Sequence, residues 1–133
     1  MIGLDTNVLI RYIMQDDKKQ FRRAEQLIDS AVKRKESLHI CLVVLCEVVW
    51  VLNYHYGLKK DDISRFLEIL FHAEQIEIEN RELALRALHD YTNSQADFAD
   101  CLIGSTNHSQ GCSTTYTFDK KAMTATFLPI MPP

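Results

Sequence analysis

Four carboxylates in this chain of 133 residues have surroundings unlike those of ordinary surface charges: Asp5, Glu47, Asp100 and Asp119. Glu47 is the only charge in the run from Ile40 to Leu52, Ile-Cys-Leu-Val-Val-Leu-Cys-Glu-Val-Val-Trp-Val-Leu. A helix this apolar is expected to be mostly buried, and a buried carboxylate is costly unless it is protonated, paired or bound to a cation. A core salt bridge, or a solvent-facing stripe one residue wide, would also accommodate it. Asp97 and Asp100 stand three apart, which puts both near one face of a helix. Asp97, three residues after Ser94, has the better claim to capping that helix; Asp100 lies a turn further in, where capping no longer explains it. Asp5 and Asp119 follow strand-like segments, and each is able to cap the helical turn after it.

Taken singly, each acid suits structure as well as chemistry. The chemical reading comes from their convergence, because two strand-end acids and two helix-borne acids can meet at one edge of a sheet. Four like charges there repel strongly unless cations bind, and carboxylate oxygens select hard ions, so Mg²⁺ or Mn²⁺ is expected. Mg²⁺ held by a few carboxylates completes its shell with water and phosphate oxygens, which points to hydrolysis of phosphodiesters by a metal-activated water.

The elements that would position these acids alternate. Met1 to Leu4 reads as a short strand, and Val8, Leu9, Tyr12 and Ile13 follow at helical spacing. Phe21, Ala24, Leu27, Ile28, Ala31 and Val32 mark an amphipathic helix from Lys18 to Lys35. Leu38 to Leu42 suits a buried strand, with a helix taking over near Val43 and stopping at Gly57. Asp61 and Asp62 open another helix, Gln75 to Glu79 alternates like a strand, and Asn80 is expected to cap the helix carrying Leu83, Ala84, Ala87 and Leu88. A helix from Phe98 towards Gln110, a β-rich Thr114 to Phe118, a turn of helix after Asp119 and a last strand at Phe127-Leu128 complete the chain. Strands alternating with helices imply right-handed crossovers and a three-layer α/β/α domain, spanning residues 1–133, with a central, mainly parallel sheet. Ligands in such folds bind beyond the carboxyl ends of the strands, where Asp5 and Asp119 stand.

Composition narrows the function further. A net charge of −3 argues against an anionic partner, but with the four acids set aside the remaining acids and bases nearly balance. Basic clusters then appear at Lys18-Lys19, Arg22-Arg23, Lys33-Arg34-Lys35, Lys59-Lys60 and Lys120-Lys121, each read first as a solvated helix face. The cysteines Cys41, Cys46, Cys101 and Cys112 lack zinc-type spacing, and nothing before Asp5 resembles a signal peptide, so a cytoplasmic protein with reduced thiols is expected. No apolar run approaches the roughly 20 residues of a membrane span. The five histidines lack H-x-x-x-H spacing, and four glycines form no phosphate loop.

Three stretches, in their order and spacing, resemble the PIN-domain family, and within it the VapC-type toxins of toxin-antitoxin pairs. They are Leu4-Asp5-Thr6-Asn7-Val8-Leu9-Ile10-Arg11-Tyr12, Cys46-Glu47-Val48-Val49-Trp50-Val51-Leu52, and Ala96-Asp97-Phe98-Ala99-Asp100-Cys101-Leu102-Ile103 with Thr117-Phe118-Asp119. The resemblance implies a PIN fold and a Mg²⁺- or Mn²⁺-dependent endoribonuclease with its acidic site on Asp5, Glu47, Asp100 and Asp119. It further implies assisting hydroxyls at Thr6 and Thr117, an additional acid at Asp97, a homodimer, an inhibiting cognate antitoxin, and transfer RNA as a candidate substrate. Cys101 and Gly104 depart from the family pattern, which has alanines in many members, and glycine costs about 1 kcal/mol in a helix interior.

Two other readings compete. A haloacid-dehalogenase-like phosphatase would use Asp5 as nucleophile, but it requires a second Asp two residues on, where this chain has Asn7, and leaves Glu47 unexplained. A catalytically silent PIN-fold module that binds RNA or a partner would need none of the four acids.

Overall fold

The computed structural model describes residues 1–125 and 130–133. Three parallel strands form the main sheet in the order β1 (Ile2–Gly3), β2 (Leu38–Ile40), β3 (Ile76–Ile78), with Ile2 opposite Leu38 and Leu38 opposite Ile76. Leu38 and Ile40 are fully buried. Parallel neighbours demand helical crossovers. β1 returns to β2 through α1 (Thr6–Met14) and α2 (Lys18–Lys33); β2 returns to β3 through α3 (Leu42–Trp50) and α4 (Lys60–His72). α5 (Arg81–Thr92) and α6 (Phe98–Ser109) follow and pack closely on each other. The result is the expected three-layer α/β/α arrangement.

The sheet differs from expectation at its far end. β4 (Thr115–Tyr116) pairs in parallel with β5 (Ile130–Met131) as a separate two-stranded sheet rather than as a further strand of the first. The strand expected at Phe127-Leu128 lies outside the described residues. β5 also accounts for Gly104: a Cβ there would sit 3.0 Å from Ile130 Cδ1, so the glycine lets α6 approach β5.

Local chemistry explains the breaks. Gly57, with φ of +68°, ends the second crossover's first helix in a conformation that costs glycine little. Before it, Val51–His55 widens into a π-helical turn, in which the Tyr56 N–H donates to Val51 O, five residues back, at 3.1 Å. α3 starts without a side-chain cap from Cys41; instead Glu79, at the end of β3, accepts from the Leu42 N–H at 2.8 Å. Asn80 does stand at the N-cap of α5, but in a left-handed conformation and with no side-chain cap. Lys60, counted above in a basic cluster, is committed internally: its ammonium donates to Ser94 O at 2.8 Å and Ala96 O at 2.9 Å, clamping the loop that leads into α6. No helix among the described residues is long and apolar enough to cross a membrane.

Candidate active site

The candidate acids fall into two groups, one at the start of α1 and on α3, the other around α6. Asp5 stands two residues after β1 and occupies the N-cap of α1, yet its exposed side chain makes no cap hydrogen bond. Thr6, buried at the start of α1, donates from Oγ1 to Glu47 Oε2 at 2.6 Å, joining α1 to α3. Glu47 itself is exposed, which favours the solvent-facing stripe over a buried carboxylate. α3 packs against both α1 and α6, burying Val44, Leu45, Val48 and Val49, and its uncovered stripe runs through Val43, Glu47 and Trp50. The helix is apolar because its packed sides and most of its open stripe are apolar. Burial therefore does not force a cation onto Glu47.

A second group gathers around α6. One carboxylate oxygen each from Asp97, Asp100 and Asp119 lie within 4.8 Å of one another. Asp97 stands at the N-cap of α6 but makes no side-chain cap, so its carboxylate is not spent on the helix. Asp119 is held in a tight turn: its N–H donates to Thr117 Oγ1 at 3.0 Å, and its Oδ1 accepts from the Lys121 N–H at 2.9 Å. Asp119 thus caps the turn after it and still faces Asp100. No ion pair among the described residues engages any of the three. The half-buried Asp100 has its carboxyl pushed above the usual carboxylate range, first by burial, then by repulsion from Asp119 and Asp97. Two oxygens bound to one hard cation lie at most about 4 to 5 Å apart, so this all-oxygen set fits Mg²⁺, Mn²⁺ or Ca²⁺. The structure brings these three acids together, whereas Asp5 and Glu47 lie outside that cluster, on α1 and α3, with α3 packed on both α1 and α6.

Comparison with known proteins bears on this arrangement. The family model for the PIN domain matches residues 2–126. The chain belongs to the PIN-domain family. A VapC ribonuclease of Aquifex aeolicus (strain VF5) is 27% identical over 99 residues, covering 74% of this chain and 73% of that protein. The matched span of this PIN domain includes every acid described above.

Like charges crowded without a counterion have a thermodynamic signature. The carboxyl of Asp100 binds its proton more tightly in the folded PIN domain than in the unfolded chain, where the value is about 3.9. Its destabilising contribution is therefore absent below about pH 4, grows as pH rises from there through the raised folded value, and persists at neutrality. Metal-free Asp100→Asn is accordingly expected to melt above the parent at neutral pH, with the gap closing in acid. Thermal melts in chelator across that range check this, and a pH-independent gap would contradict it. Added Mg²⁺ should raise the midpoint of the parent more than that of the variant.

Proposed function

We propose that this protein is a divalent-metal-dependent endoribonuclease and the toxin of a toxin-antitoxin pair. The observation that carries the reading is the cluster of Asp97, Asp100 and Asp119, none in an ion pair among the described residues, in a chain of the PIN family; the ribonuclease relative supports it. Asp97, Asp100 and Asp119 hold Mg²⁺ or Mn²⁺, with Asp5 and Glu47 completing the acidic rim from the α1 and α3 side. When bound, such an ion lowers the pKa of water and neutralises charge building on the phosphoryl oxygens. The chain's own groups fix the geometry. Thr6 holds the Glu47 carboxylate against the start of α1. Thr117 accepts from the backbone of Asp119 and keeps that carboxylate turned towards Asp100. Burial and the neighbouring carboxylates of Asp119 and Asp97 disfavour the free charge of Asp100, which a bound cation would offset. The substrate is RNA, with transfer RNA the first candidate. The protein works in the cytoplasm as a homodimer, and a cognate antitoxin restrains it.

Cleavage of a folded RNA pool by purified, antitoxin-free protein tests the proposal. Cutting is expected with Mg²⁺ or Mn²⁺, none with EDTA, and recovery when the metal is restored. If folded protein leaves RNA intact with either metal, the nuclease reading gives way to the binding module without catalysis. Cutting that survives EDTA would remove the metal.

A further inference from the structure

Beside the acids lies a cavity of about 180 Å³ that the chemistry above leaves unused. Its wall includes Trp50, Asn53, Tyr54, Tyr91, Asp97 and Phe98, so it shares Asp97 with the acidic cluster. Trp50 and Tyr54 are 60% and 63% exposed, an unusual condition for two large aromatic side chains, and their rings lie 5.5 Å apart with planes tilted by 33°. Both belong to the point where α3 passes into the π-helical turn. Turns of this kind add a residue to the helical register and frequently occur at functional sites. Here the turn carries Asn53 and Tyr54.

The polar groups of the wall are not spent. The Asn53 side chain makes no hydrogen bond among the described residues, leaving an amide with two donors and an acceptor. The Tyr91 hydroxyl is buried and has no partner among them either. Its ring is fixed by the Lys60 ammonium 4.4 Å from its centroid and by a T-shaped contact with Phe98, the ring centroids 5.7 Å apart. A planar ligand with a π face and a hydrogen-bonding rim suits this combination better than an apolar surface, which would bury the Asn53 amide unpaired.

We propose that this cavity receives one unpaired nucleobase of the RNA, stacked on Trp50 and Tyr54 and read at its edge by Asn53, next to the phosphate held at the acids. Single-stranded RNA is recognised by such stacking, with hydrogen bonds to base edges conferring selectivity. The inference rests on the ribonuclease reading for its ligand class. It makes the cavity the determinant of which nucleotide flanks the cut.

Trp50 is the sole tryptophan of the chain, so indole fluorescence reports on this site. Short RNA homopolymers of each base are titrated in Ca²⁺, beside an abasic ribose-phosphate oligomer of equal length. At least one homopolymer is expected to quench saturably, with a ranking among the four, and the abasic chain to leave the signal unchanged. Asn53→Ala and Tyr54→Ala, both shown to be folded, should each weaken binding by about tenfold, the order carried by one base contact. Quenching by none of the four, equal quenching by the abasic chain, or unaltered binding by both variants would overturn the proposal. So would a signal that follows protein concentration, with dimerisation lost on Trp50→Ala in sedimentation, because the face would then be a contact between copies. Cleavage without quenching defeats the cavity alone; base-selective quenching without metal-dependent cleavage defeats the nuclease reading alone.

Discussion

Asp100→Asn is expected to lower metal-dependent RNA cleavage by about a thousandfold while the protein remains folded. The substitution keeps size and hydrogen-bonding capacity but removes the half-buried acid of the cluster, which both Asp119 and Asp97 repel. Loss of a charge-stabilising group at a phosphoryl centre typically costs about two to three orders of magnitude, and weakened metal binding adds to that. Single-turnover cleavage at saturating Mn²⁺, with circular dichroism as the control, measures it. Near-parental cutting by folded Asp100→Asn would place the metal elsewhere. Asp5→Asn provides the parallel test for the other side of the rim, since no cap hydrogen bond is lost with its carboxylate.

The largest effect on stability is expected from Phe98→Ala. Phe98 is 1% exposed, opens α6 between Asp97 and Asp100, and meets the Tyr91 ring edge-on at 87°. Truncating a buried aromatic costs about 3 to 5 kcal/mol, a large share of the roughly 5 to 15 kcal/mol that holds a domain folded. Urea unfolding should show a much lower midpoint, with cleavage falling alongside as the start of α6 loosens. An unchanged midpoint would mean that the α5–α6 contact contributes little to the core.

What the sequence makes legible follows from how local each signal is. α2 is plain because Phe21, Ala24, Leu27, Ile28 and Ala31 share one stripe with charges opposite, and Ala24 and Ala31 are indeed buried. The pairing of Asp97 with Asp100 is readable from their spacing alone. Asp119 joins them only through the fold, and the break between the main sheet and β4–β5 has no counterpart in local periodicity. Glu47 misleads because a helix packed on several sides reads as apolar all round, and the stripe left open carries Val43 and Trp50 beside the acid. Asn80 shows the same limit at a cap: residue type names the position, but the left-handed backbone leaves its side chain without the hydrogen bond. Glu79 was invisible as a cap for α3 because its partner, Leu42, is 37 positions away. Asn53 and Tyr54 carried no signal, since nothing in Val51 to His55 announces a wider helical turn.

The acids of the proposed site are strung from position 5 to position 119. A ribosome that has delivered Asp5, Glu47, Asp97 and Asp100 has still not delivered Asp119, so a nascent or prematurely ended chain lacks the three-carboxylate cluster. On the ribonuclease reading proposed above, a catalytic cluster would be complete only once the last part of the fold has been made. A single proteolytic cut between α6 and Asp119, unless the fragments stay together, would disarm the protein in the same way.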